Sequence, residues 1–284
     1  MPGLTTTDHP RDLAGLPYVY PVLSRRAGGL SIGINLNTNH ACNWRCIYCQ
    51  VPGLVRGEAP ETNLDLLQRE LREFIAGFQD GSNYEHYGIP PGQRTIRDIA
   101  ISGNGEPTSA PEFDRIMDAI GGCLRSLELP AATKLVLITN GSLVHRPAVQ
   151  DGLRQFQRLG GEVWFKLDGV TNAGMRRINN ANISMRTVRK NLATCTALCP
   201  TWIQTCVFAL DGEPPPAGER EQYLDFLATI LAEGVQLQGV YLYGIARPSL
   251  QPEAPRMTRL PQEWLEQFAT RIQQATGLAT TVSV

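Results

Sequence analysis

The sequence predicts a parallel α/β fold, and three observations lead there. From residue 30 onward, short β-rich runs alternate with helical stretches; polar and glycine residues gather where those runs end; and no internal repeat, low-complexity tract or interdomain linker divides the 284 residues. Strands alternating with helices pair in parallel and are joined by right-handed crossovers. A barrel, a partial barrel and an open doubly wound sheet all satisfy the pattern, and periodicity alone does not choose among them.

The elements follow in order. Residues 30–36 read as the first strand and 63–78 as an amphipathic helix with Asn63 as its cap. Residues 95–102 form the second strand, followed by a helix over about 111–127, and 134–139 the third, followed by 147–159. The fourth strand spans 163–167, with a helix at 184–198; the fifth spans 202–210, with a helix near 220–232. The sixth spans 240–244 and precedes a helix at 262–274. Residues 1–29 are expected as an N-terminal extension and 30–284 as one core domain ending in a helix.

Composition narrows the function. Apolar residues make up 42 % and charged ones 19 %, as in a folded chain, and 26 Lys plus Arg against 27 Asp plus Glu leave a net charge of −1. A protein that coats nucleic acid by bulk charge is excluded. No apolar run approaches the ~20 residues of a membrane span. The N-terminus has no basic stretch, and Pro17 and Pro21 break its mildly apolar segment at 13–23. The expected location is the cytoplasm, away from membranes.

The seven cysteines carry the chemistry. An odd count without a secretory leader argues for thiol or metal chemistry rather than a disulfide framework. Cys42, Cys46 and Cys49 fall in the loop after the first strand. Three thiolates on one short loop can converge on a metal centre, and if that centre is a cubane iron–sulfur cluster, one iron keeps an open position. The alternative is a non-catalytic zinc protein with His40 as the fourth ligand. Other strand ends are also polar: Ser102-Gly103-Asn104-Gly105-Glu106-Pro107 after the second, Thr139-Asn140-Gly141 after the third, Lys166-Leu167-Asp168-Gly169 at the fourth and Gly244-Ile245-Ala246-Arg247 at the sixth. The carboxyl edge of a parallel sheet is where ligands bind.

Cys42-Asn43-Trp44-Arg45-Cys46-Ile47-Tyr48-Cys49 resembles the cluster loop of the radical S-adenosylmethionine (SAM) superfamily, and Gly103-Asn104-Gly105-Glu106-Pro107 resembles its second signature. Residues 30–247 carry the likeness. The run from Ser24-Arg25-Arg26 to Thr108 is most similar to uncharacterised bacterial proteins related to tRNA wyosine-type enzymes. The resemblance implies a parallel (βα)6 partial TIM barrel, a 4Fe–4S cluster on Cys42, Cys46 and Cys49, and SAM bound at the open iron. It further implies reductive SAM cleavage followed by hydrogen abstraction from an organic substrate, fed by an electron donor such as flavodoxin or ferredoxin.

Within that resemblance, Gly103 and Gly105 let the backbone approach the methionine part of SAM, and Glu106 accepts a hydrogen bond from its ammonium. Asn104, Thr139 and Asn140 belong to the same cofactor-binding set, Asn140 toward ribose hydroxyls, and Tyr48 packs near the adenine. Lys166 and Asp168, two apart on a strand, share a face. Inward they form a buried pair with a functional reading; outward, a solvated one. Arg247 meets either a substrate anion or solvent. Cys195, Cys199 and Cys206 form either an auxiliary cluster or plain core, and Cys123 is simplest as core. The connection at 79–94 leads to the amino end of the second strand, away from the site. Segment 154–190 is rich in Arg and Lys, which suits RNA phosphates or solvated helix faces. The substrate remains a small molecule, a peptide or an RNA base, and no catalytic residue is assigned.

Overall fold

A computed structural model describes residues 4–5, 13–24 and 28–283. Arg25 and Arg26 of the run cited above lie outside the described residues. The chain opens with β1 (Val19–Ser24) and β2 (Gly29–Ile34), then a pair of two-residue strands, β3 (Ala41–Cys42) and β4 (Val55–Arg56). Helices α1 (Leu64–Gln79) and α2 (Ser82–His86) lead to β5 (Ile96–Ile101). Next come α3 (Phe113–Arg125), β6 (Lys134–Thr139), α4 (Pro147–Arg158) and β7 (Glu162–Lys166). Helices α5 (Asn172–Asn179) and α6 (Met185–Leu198) precede β8 (Thr201–Val207) and its short continuation β9 (Ala209–Leu210). The last third holds α7 (Ala217–Ala232), β10 (Gly239–Gly244), β11 (Met257–Thr258), α8 (Gln262–Thr276) and β12 (Thr280–Ser283).

Local chemistry explains the helix ends. Asn63 caps α1 by accepting from the Leu66 amide at 3.0 Å, as the sequence predicts, and Ser184 caps α6 through the Thr187 amide at 3.1 Å. Pro147 starts α4, where its missing N–H is no loss. Helix α1 buries Leu67, Leu71, Phe74, Ile75 and Phe78 along one stripe. Each such side chain contributes about 1.5–3 kcal/mol on leaving water.

The main sheet has eight strands in the order β1-β2-β5-β6-β7-β8-β10-β12. Only β1 runs antiparallel to its neighbour. All six expected strands are present and parallel, so the alternation was read correctly. Two strands escaped it: β1, inside the segment expected as an extension, and β12 beyond the last helix. Pro21 sits in β1, which occupies the sheet edge, where no amide is needed on the outer side.

Tyr20 and Val22 of β1 line the same cavity as Tyr243 of β10 and Ser283 of β12, so the sheet curls until its two ends face one interior. The open question of sheet geometry resolves to a half-barrel, wrapped outside by the helices. Registers set the inner face. Lys166 pairs with Gln204 and Gln204 with Tyr241, giving one row across β7, β8 and β10; Trp164, Trp202 and their neighbours form the row below.

Candidate functional site

The cysteine loop leaves β3 at the carboxyl edge of the half-barrel and is tied down from two distant places. The Arg45 and Ile47 amides donate to the Asn179 and Ile178 carbonyls at 3.2 and 2.8 Å, at the end of α5. The segment after β10 holds the other side: Ser249 Oγ donates to the Ile47 carbonyl at 2.6 Å and the Leu250 amide to the Cys49 carbonyl at 3.0 Å. Glu253 clamps Arg45 through both guanidinium nitrogens at 2.8 and 2.6 Å. Thus Cys42, Cys46 and Cys49 are all brought to the wall of one cavity of about 320 Å³ inside the half-barrel.

N–H donors aim at two of these sulfurs. The Trp44 amide lies 3.4 Å from Cys42 Sγ, and Asn179 Nδ2 lies 3.2 Å from Cys46 Sγ. Donors so placed suit electron-rich thiolate ligands and are the kind that tune a cluster. Burial pushes the Cys42 thiol up to about 12 against the Trp44 amide, and burial followed by the nearby Asp168 carboxylate pushes Cys46 to about 12. Without a metal, both thiols therefore keep their protons. The donor set fits a thiolate-bound cluster.

The zinc alternative is not supported. His40 is absent from the cavity wall; it sits in a turn with φ 57° and its Nδ1 meets the Pro52 carbonyl at 2.9 Å. Among the described residues, no three His, Cys, Asp or Glu side chains crowd round a single metal ion. Ligands of one zinc must crowd round a single centre, whereas each cysteine of a cubane reaches its own iron.

Glu106 lies across from the loop, 3 % exposed and on the cavity wall. Its Oε1 accepts from the Thr108 amide (3.1 Å), the Thr108 hydroxyl (2.6 Å) and the Thr139 hydroxyl (2.5 Å), while Oε2 accepts only the Asn140 amide at 2.6 Å. Burial raises its pKa, and these donors pull the other way. Oε2 keeps room for one more donor. Gly103 and Gly105 line the wall too, yet their lack of a Cβ serves the scaffold. A Cβ at Gly103, where φ is +152°, would meet Asn35 Oδ1 at 2.4 Å, and one at Gly105 would meet the Ala41 carbonyl oxygen at 2.0 Å.

The fourth strand turns Lys166 inward. Its ammonium donates to Tyr243 Oη at 2.6 Å, lies 3.6 Å from Asp168 Oδ1, and stands 5.0 and 5.1 Å from the ring centres of Tyr48 and Tyr243. Burial works against the charged form, but Asp168 and the neighbouring phenol and thiols outweigh it and raise the pKa. Asp168 is fully enclosed and accepts from Tyr48 Oη, Asn179 Nδ2 (2.8 Å) and the Cys206 amide (2.9 Å).

Of the residues expected from the sequence, Tyr48, Asn140 and Lys166 join Gly103, Gly105, Glu106 and the three cysteines on the wall. Asn104, Thr139 and Asp168 stand behind it. The Asn140 side chain is engaged by Asn43 at 2.8 Å and Ser142 Oγ at 2.7 Å, so it braces the cysteine loop against β6. Arg247 is on the wall, with a guanidinium nitrogen 3.0 Å from Gln50 Oε1. Cys195 and Cys199 are buried in the core outside the sheet, where Cys199 Sγ meets the Gly161 carbonyl at 3.3 Å. Cys206 faces inward on the cavity wall instead, so the three do not come together. Sequence reasoning missed Asn179, Tyr243 and Gln204. Their roles depend on which strand lies beside which, and no local motif carries that.

No family model matches this chain. Two proteins from Helicobacter pylori carrying the name UPF0026 protein are similar in sequence. One is 26 % identical over 228 residues, covering 79 % of this chain and 67 % of its own length; the other is 30 % identical over 165 residues, covering 57 % and 46 %. Among solved structures, TYW1 with a lysine-pyruvate adduct bound superposes with a TM-score of 0.58 at 14 % identity, covering 91 % of this chain and 84 % of that one. Spore photoproduct lyase with bound AdoMet gives 0.54 at 11 % identity, over 99 % and 80 % of the chains. A radical SAM methyltransferase from Sphaerobacter thermophilus gives 0.52 at 16 %, over 93 % and 68 %.

The chain has the radical SAM fold. Here the cysteine loop follows β2, the first of the parallel strands, and the Gly-Glu-Pro turn follows β5, the second. Both motifs therefore stand at the carboxyl edge that the sequence predicted.

Proposed function

We propose that this chain is a radical SAM enzyme that cleaves S-adenosylmethionine reductively at a 4Fe–4S cluster and abstracts hydrogen from an organic substrate. The observation that carries the reading is the convergence of Cys42, Cys46, Cys49 and Glu106 on one cavity of about 320 Å³ at the ligand-binding edge of a half-barrel. When bound, the cluster and SAM supply the one-electron chemistry. The protein's own part is to bind and orient. The three cysteines would hold the cluster, with Trp44 N–H directed at the Cys42 sulfur and Asn179 Nδ2 at the Cys46 sulfur. Glu106 would accept the SAM ammonium, its carboxylate kept in place by Thr108, Thr139 and Asn140.

The substrate reading favours a small molecule or peptide that enters the half-barrel. Arg154, Arg177 and Arg189 of the basic segment are each paired with a carboxylate (Asp151, Glu219 and Glu233), which leaves less charge for RNA phosphates. Reducing equivalents come from a partner such as flavodoxin or ferredoxin. Among the described residues, no helix is long and apolar enough to cross a membrane. The cytoplasmic location remains part of this proposal.

Low-temperature EPR on anaerobically reconstituted, dithionite-reduced protein tests the reading. A reduced cubane signal that changes on SAM addition is expected in the parent chain. It should be absent from a Cys42→Ser/Cys46→Ser/Cys49→Ser variant, and in Glu106→Gln it should be present but far less responsive to SAM. A chain that binds zinc and no iron refutes the proposal.

A further inference from the structure

The wall of the cavity holds a polar side chain to which the proposed function gives no role. Gln204 lies midway along β8 on the inner face, between Lys166 of β7 and Tyr241 of β10. It lines the cavity, is 2 % exposed, and its buried Nε2 has no hydrogen-bond partner. A buried amide donor left unpaired is destabilising, and a leucine of similar size would fill the place without that penalty. Such a residue makes physical sense when a ligand brings the missing acceptor.

Its neighbours define that acceptor. Trp164 lines the same wall, and its indole N–H is held by Glu162 Oε1 at 2.9 Å, which fixes the ring as a flat apolar surface. The Lys166 charge is matched by Asp168 at 3.6 Å, so this part of the wall adds no net charge. The carboxylates of Asp98 and Glu106 line the cavity as well, which disfavours an anionic group there. Around Gln204 the wall therefore offers a hydrogen-bond donor and a flat face beside a matched ion pair, while Arg247 on the same cavity is engaged by Gln50 Oε1 at 3.0 Å.

We propose that Gln204 anchors the substrate, donating from Nε2 to the carbonyl oxygen of a neutral, amide-like group laid against Trp164. The inference deepens the proposed function, because it places the substrate in the same cavity. It goes further in naming the chemical class that this end of the cavity accepts.

The test uses the purified full chain without iron, so that its outcome is independent of cluster loading. The side-chain amide resonances of Gln204 are assigned by their loss in Gln204→Leu. They are then followed while N-methylacetamide, sodium acetate or methylammonium chloride is added. N-methylacetamide should shift them saturably, at least about fivefold more tightly than acetate, with no response to methylammonium. Gln204→Leu should melt higher than the parent, since it removes an unpaired buried donor. Resonances unmoved by N-methylacetamide overturn the proposal, as does a Gln204→Leu protein that melts lower. Preferential binding of acetate overturns the neutral-carbonyl assignment. Failure of the parent chain to assemble a cluster counts against the proposed function alone and leaves this result standing.

Discussion

Replacing Gly105 with alanine asks whether the Gly-Glu-Pro turn is a scaffold for the cysteine loop. The added Cβ would lie 2.0 Å from the Ala41 carbonyl oxygen and 2.6 Å from Asn37 Nδ2, well inside the 3.4 Å at which ordinary contact begins. Backbone has to give way, and what stands there is β3, two residues long and paired only with β4. Movement also breaks the 2.9 Å bond from Asn37 Nδ2 to the Ala41 carbonyl. Overpacking of this kind costs about 1–3 kcal/mol and a lost buried hydrogen bond about 1 more. A total of about 2–4 kcal/mol lowers Tm by roughly 3–7 °C in a chain of this size. The assay is thermal and urea unfolding of Gly105→Ala, with iron bound per chain after reconstitution as a second readout. Gly218→Ala is the control, because nothing stands within 4 Å of its added Cβ. If Gly105→Ala unfolds like the control and loads iron normally, the steric argument is wrong.

Two further predictions concern buried charge. Lys166→Met should cost about 2–3 kcal/mol and Asp168→Leu about 3–5, because Asp168 keeps three neutral donors after its partner is lost, whereas its own loss leaves Lys166 charged and those donors unpaired. Equal costs in urea unfolding, or a double-mutant cycle with no coupling, would count against the buried pair. Glu70 accepts the Tyr18 amide at 2.9 Å, and burial raises its pKa above the unfolded value. Its stabilising contribution is therefore complete below the unfolded pKa and is lost as pH rises through the folded one. The Tm of Glu70→Gln relative to the parent should climb from pH 4 to pH 8, and a flat or falling difference would contradict the assignment.

Much of the architecture was legible because each central strand reads as a compact apolar run bounded by turn residues, as in Lys134–Thr139. Strand β1 hid behind Pro21, which normally argues against a strand and is tolerated here only because the sheet ends there. Strand β12 is written in Thr280, Thr281, Val282 and Ser283, four residues with little hydrophobic signal, and α5 is short and asparagine-rich. At the site, the cysteine spacing and Glu106 could be read because they are consecutive in the chain. The inward turn of Lys166 could not, since a residue two positions from its partner faces inward or outward according to strand register. Asn179 and Gln204 are ordinary amides in the sequence. Only the seating of α5 on the loop and the order of strands give them something to do.

The way the cysteine loop is fastened also orders events during synthesis. Its carbonyls at Ile47 and Cys49 are met by Ser249 and Leu250, about two hundred residues later. Contacts of such separation form late, because the intervening chain has to be closed first. A ribosome that has delivered only β2 to β8 has made the three thiols but not the clasp that holds them. The seat of the cysteine loop is therefore completed last, when the segment after β10 docks against it.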